Sequence, residues 1–403
     1  MPPKRILLAL GLIVIAVGAA IGIYFVFFRA PAVPPVGPAA PEGTSPITGL
    51  PTAAPGAIPT VPGGVPGTLP LAPRIAQGGP TETTELTEHV VRGAELSGDG
   101  QSVAFYDESD SRFYRVSPDG VITKLSDKRF FGVENVTWAS EAARAILEYP
   151  DGANVMFDFT TGEQVTLPKH WEDFDFSPSG DQIIGKSIGL NTENRWLVVA
   201  NADGSQAQAI EALGENEDKV TVAWSPNDQV VAFSATGRPQ GFDSSEIYLI
   251  GKNHENFKSL IVEGRDFRPL WSTDGERLVY SVYNSENGYR PTLWITDAEG
   301  DSIGANRRSI GLNTWADKCT FGDARTVYCA VPESLEEGIG LQPSLAGNVP
   351  DQVYRIDIET GARNLIGAPL EGASMSRLML SEDGRYLFYT DTRTGILRQM
   401  QLR

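Results

Sequence analysis

The sequence predicts an all-β fold: a seven-bladed β-propeller of four-stranded blades over residues 83–403, closed by an N-terminal strand. One transmembrane helix and a disordered Pro-rich linker precede it. Three observations predict this. A strand–turn–strand unit recurs seven times at spacings of 38 to 61 residues. The last unit lacks a fourth strand, while a strand-like segment stands unused before the first. The first 80 residues hold 16 of the 28 prolines, four basic residues (Lys4, Arg5, Arg29, Arg74) and one acid (Glu42). The remainder carries 29 basic and 50 acidic residues, a net of −21 that repels phosphate backbones and argues against nucleic-acid partners.

Residues 1–5 form a short cytoplasmic N-terminus. Residues 6–28 are an uncharged apolar run of 23, long enough to span the ~30 Å hydrocarbon core as a helix. Lys4 and Arg5 before the run, against Arg29 after it, place the N-terminus inside and the rest outside, in the periplasm or at the cell surface. A cleaved signal peptide would have a shorter apolar region, so the run reads as a signal anchor. Gly18 and Gly22 form a G-x-x-x-G, a spacing that lets two such helices pack as a homodimer. Residues 29–82, rich in Pro, Ala and Gly, bury little and read as a disordered tether. About 50 residues of flexible coil average roughly 40 Å end to end.

The repeats follow. Each first strand ends in an aromatic residue, Leu or Cys. The next position is 97, 139, 177, 225, 272, 320 or 381 and opens a turn such as Ser-Thr-Asp-Gly at 272–275. Gly supplies a positive φ there, and Asp and Asn tolerate the same region. A second apolar strand, a variable loop, a third strand, a second turn and a fourth strand complete the unit. Second turns fall at Asp119-Gly120, Thr161-Gly162, Asp203-Gly204, Glu299-Gly300 and Thr360-Gly361, with residues 253–256 taking that place in the fourth unit. There are seven first turns but six second turns, so the chain ends on the third strand of unit seven. Residues 84–91 can supply the missing strand and hide the sheet edges.

These units, of the form Trp/Phe-Ser-Pro-x-Gly followed by an apolar and aromatic strand, resemble the WD-like repeats of the TolB-type propeller family. The resemblance covers residues 83–403 only. It implies a propeller that docks partner proteins or gates a peptidase. The α/β domain that precedes the propeller in TolB, and the hydrolase domain of prolyl-oligopeptidase-like enzymes, have no counterpart here, so TolB's own partner is not implied.

Motifs suggesting chemistry are better explained by the repeat. Residues 180–187 spell the P-loop pattern and 185–189 the G-x-S-x-G elbow, but both fall on a turn and strand of unit three with no helix following. His89, His170 and His254 are scattered and Cys319 and Cys329 stand alone, so no metal or cofactor is expected. The two cysteines flank a first turn and can meet across its hairpin as a disulfide. Acid pairs such as Glu172/Asp173 could serve glycosidase chemistry, although solvated surface is the simpler reading.

Loops between second and third strands share one face with the connections between blades. The long ones lie near 186–194, 236–245, 283–290 and especially 332–352. Connections on that face carry Arg129 and Phe131, His170 and Trp171, and Arg265, Phe267 and Arg268, residue types suited to a protein interface. The alternative is that Trp171 and Phe267 pack beneath the loops. The functional expectation is a non-catalytic, membrane-anchored extracytoplasmic scaffold that binds a protein or other cell-envelope component. The rival classes are a lyase or glycosidase acting on envelope glycans, and the sensor domain of an envelope assembly.

Overall fold

The computed structural model describes residues 72–403 apart from Phe242. The expected transmembrane helix, the Gly18/Gly22 motif and most of the linker lie outside the described residues. Among the described residues no helix is long and apolar enough to cross a membrane.

Seven antiparallel sheets follow one another in chain order. Six blades occupy residues 91–124, 135–167, 171–212, 220–262, 265–309 and 319–369. The seventh is formed by Met375–Leu380, Tyr386–Asp391 and Leu397–Gln401, with Thr84–Glu85 as its outer strand. Each blade places its first strand innermost and its fourth at the rim.

The repeat residues have definite jobs. At 177, 225, 272 and 381 the serine is buried, and its hydroxyl accepts the N–H of the residue five positions on, at 2.9–3.1 Å. The turn glycine takes φ of +73° at Gly275 and +64° at Gly384, and its N–H donates back to the serine carbonyl. The tryptophan that ends a first strand reaches to the blade before it. Trp138 Nε1 donates to the Gly93 carbonyl, and Trp271 Nε1 donates to the Ala223 carbonyl. Apolar clusters bridge neighbouring sheets, as where Phe113 meets Trp138 and Phe130 edge-on at 5.6 and 5.3 Å. Such aromatic contacts contribute roughly 1 kcal/mol each beyond area burial.

Ring closure uses the N-terminal segment, but more briefly than expected. Thr84 and Glu85 pair with Gln399 and Arg398, and the Leu86 N–H donates to the Leu397 carbonyl at 2.9 Å. Residues 86–90 then cross from the rim of blade seven to the innermost strand of blade one, so only two of the eight residues expected to form the strand do so. Charge reinforces the short pairing: the Arg398 guanidinium holds Glu85 of the closing strand and Glu371 at 2.7 Å. Residues before 83 also take part in the propeller. Ile75 bridges Gln401, and Pro80–Thr81 adds a parallel fifth strand to blade six, where Thr81 is fully buried.

Candidate functional site

Strand direction puts the loops between second and third strands and the inter-blade connections at one end of the ring. The largest is residues 333–350 of blade six. It is a folded cap rather than a loose loop. The Glu333 N–H closes its neck onto the Pro350 carbonyl, and Gly338 and Gly340 N–H groups donate to the Gly288 and Tyr289 carbonyls of the blade-five loop. Arg290 Nε donates to the Leu335 carbonyl at 2.7 Å, and the Thr392 hydroxyl donates to the Gly347 carbonyl at 2.6 Å. Ile339 and Ala346 pack on Trp315 to make a small core of their own. The short helices Ile339–Leu341 and Pro343–Ala346 leave Leu341 58% and Leu345 66% exposed.

Beneath the cap lies a buried ion pair. Lys318 Nζ donates to both oxygens of Asp351, at 2.9 and 2.6 Å, and the Met375 N–H donates to the same carboxylate at 2.6 Å. This ties the short helix Ala316–Lys318 to blades six and seven. Burial pushes the Asp351 carboxyl up, with Lys318 opposing.

The residues expected at a partner-binding face fall into two groups. Phe131 is 69% exposed, and Arg129, His170 and Arg265 are also exposed. Trp171, only 7% exposed, opens the innermost strand of blade three and belongs to its core. Phe267 packs against Phe233 and Tyr280 at 5.4 and 5.5 Å. Arg268 is engaged by Asp266 and Asp317 and lies 5.9 Å from the Trp315 ring. The exposed members are spread over three inter-blade connections and do not form one cluster with residues 333–350. The loop expected from 186 begins only after Ile188, because Lys186 and Ser187 lie in a strand.

The nucleotide-like stretch at 180–187 is a turn and a strand. The Lys186 ammonium is buried and donates to Asp173 at 2.6 Å, which leaves it no phosphate to hold. Cys319 and Cys329 stand directly opposite in register in blade six and are joined by a disulfide. Among the described residues, no group of three or more His, Cys, Asp or Glu is placed to hold a metal ion.

The innermost strands carry a feature that sequence reasoning missed. Those of blades one, three, five and seven each contain a bulge whose first residue has a positive φ: Gly93, Asp173, Asp266 and Arg377. Three of these are not glycine; Asp tolerates this region, but the residue type of Arg377 gave no signal for it. Bulges of this kind re-aim side chains. Between them, Asp175 accepts N–H groups from Trp224 of the next blade and from Phe176, at 2.7 and 2.8 Å, and burial pushes its carboxyl up to about 6.

Fold and site together define the class: a seven-bladed propeller with an elaborated loop face. Solved structures agree at the level of fold. The chain is similar to the β-propeller domain of Cps50 (Swd1) from Myceliophteria thermophila, at 9% identity and TM-score 0.52, over 80% of this chain and 100% of that one. It is similar to an oligogalacturonate lyase from Vibrio parahaemolyticus, at 10% identity and TM-score 0.50, over 80% and 93% of the two chains. It also resembles the tricorn protease, at 9% identity and TM-score 0.50, over 80% of this chain but 35% of that one. No protein-family model matches the chain, and no curated protein matches it.

Proposed function

We propose that the protein is a non-catalytic docking scaffold of the cell envelope. In this reading residues 6–28 anchor it in the membrane, and residues 29–71 tether a TolB-type propeller outside the cytoplasm. The propeller binds a protein partner through the loop face of blades five and six. One observation carries this reading: residues 333–350 are folded in advance and hold Leu341 and Leu345 out to solvent. A pre-ordered loop avoids much of the ordering cost of association, and exposed leucines on a rigid support supply apolar contact.

The test crosslinks the full-length protein in its own membrane and compares wild type with the Leu341→Asp/Leu345→Asp double variant. Both side chains are solvent-facing, so the variant should fold normally and lose its main captured partner. If every captured partner were unchanged, the placement of the site would be wrong. Protease added outside intact cells should release the propeller, and failure to do so would refute the orientation.

A further inference from the structure

The exposed leucines of the cap stand among negative charges that lack counter-ions. Residues 333–350 hold Glu333, Glu336 and Glu337 and no Lys or Arg. The blade-five loop at 284–290, which the cap grips through Gly338 and Gly340, adds Glu286. All four glutamates are exposed, and among the described residues none forms an ion pair. Arg290 is the one cation of these two loops, and its guanidinium donates to the Leu335 and Asn287 carbonyls. Elsewhere on the same face acids are met by cations: Lys169 holds Asp151 and Arg268 holds Asp317, each at 3.0 Å.

These carboxylates are fixed beside the apolar contact. Glu337 lies four residues before Leu341, a reach of at most about 14 Å along the chain. Its side chain rests against the blade-five loop, where a Cβ on Gly288 would come within 2.8 Å of Glu337 Cγ. The acids are not grouped for a metal ion, since no cluster of three or more His, Cys, Asp or Glu among the described residues is placed to hold one. Solvated acids alone would be ordinary surface. Leucines held out to solvent between them favour a partner whose own apolar residues are flanked by positive charge, and they disfavour an acidic one.

We propose that the loop face of blades five and six docks a Lys/Arg-rich segment of a partner protein that also carries apolar side chains. Those apolar side chains meet Leu341 and Leu345, and the basic ones meet Glu286, Glu333, Glu336 and Glu337. Charges at the wet rim of such a contact steer and select the partner, while the desolvated apolar centre holds it. This partner chemistry rests on the loop-face reading.

Fluorescence anisotropy on the full-length protein, held in discs of neutral lipid, tests this with two synthetic peptides. Both carry two leucines four positions apart, in a background of Lys and Gln in one and of Glu and Gln in the other. The lysine peptide should bind with a Kd below about a millimolar, and the glutamate peptide about tenfold or more weakly. Glu333→Gln/Glu336→Gln/Glu337→Gln and Leu341→Ser/Leu345→Ser should each weaken the lysine peptide by about tenfold. All five side chains are exposed, so both variants should melt with wild type. Glu163→Gln/Glu276→Gln/Asp301→Asn removes the same charge from exposed positions at the opposite, turn end of the ring, and should leave affinity within about twofold. The proposal is overturned if the lysine peptide fails to bind at millimolar concentration or if the glutamate peptide binds as well. It is equally overturned if the turn-end variant weakens binding as much as the cap variant, because the attraction is then diffuse. Crosslinking in the native membrane separates the two readings. If Leu341→Asp/Leu345→Asp loses the main captured partner and the cap glutamate variant keeps it, loop-face docking stands and the basic partner falls. If both variants keep it, both readings fall.

Discussion

Replacing Asp175 with Asn should flatten the pH dependence of propeller stability between about pH 7.5 and pH 5. The wild-type carboxyl is pushed by burial to about 6, from an ordinary value of 3.8. Because the folded protein holds this proton more tightly than the unfolded chain does, the contribution is fully present below the unfolded value and is lost as pH rises through 6. Acidifying from about pH 7.5 to pH 5 raises the bound-proton term by about one pKa unit, or about 1.4 kcal/mol of added stability. Turn acids work in the opposite direction but at lower pH. Asp203, held low by its hydrogen bond with Ser205, and Asp357, held low by the Thr360 N–H, stay ionised across this window. Glu95 and Glu148, both raised chiefly by burial, add in the same sense as Asp175, so the informative quantity is the difference between wild type and variant. Asn keeps one acceptor oxygen but turns an NH₂ toward one of the two N–H donors, so the variant should be less stable overall by about 1–3 kcal/mol. Urea denaturation of the full-length chain at the two pH values measures both effects. If the variant gained as much stability on acidification as wild type, the assignment of this proton to Asp175 would be refuted.

Three further outcomes are expected. Lys318→Met leaves the Asp351 carboxylate buried without its cation, and should cost about 3–5 kcal/mol in denaturant unfolding. Breaking the Cys319–Cys329 disulfide by a Cys329→Ala change frees a ten-residue separation, and should lower stability by about 3 kcal/mol in the same assay. Gly93→Ala puts a Cβ 2.5 Å from Val136 Cβ at a positive φ, and should lower the melting temperature by several degrees, by calorimetry.

The fold was legible because the repeat is made of residues with fixed local jobs. A serine whose hydroxyl closes a turn, a glycine at positive φ and an aromatic residue reaching to the preceding sheet recur whatever the loops do. Counting turns was enough to find the open last blade and the segment that closes it. The strap at 75–81 was not legible, because Pro-Arg-Ile-Ala-Gln-Gly-Gly-Pro at 73–80 has a linker's composition, and only the unpaired edge of blade six makes it a strand. Site residues fared unevenly for a similar reason. Whether Trp171 faced solvent turned on a strand boundary one residue wide, and Phe267 sits on a bulge that rotates it into the core. Arg377 is an ordinary residue by type, and the neighbouring strands impose its conformation.

The N-terminal segment meets two demands at once. It is the route by which the preceding chain reaches the propeller, and it also supplies the strand that makes the propeller a closed ring. Two residues of antiparallel pairing at Thr84–Glu85 would be a weak joint alone. The chain is first held at Ile75 against blade seven and at Pro80–Thr81 against blade six, and the Pro73 carbonyl accepts the Glu82 N–H, so the intervening residues form a closed loop. A pull on the preceding chain is therefore taken by contacts with two blades before it reaches the closing strand. Beyond it, Arg398 holds Glu85 and Glu371 together across the same two blades. Removing the guanidinium with Arg398→Ala would leave both carboxylates side by side without their shared cation. The loss should therefore show first as fraying of the closing segment, read as faster hydrogen exchange at Leu86 and Leu397, and only then as global unfolding.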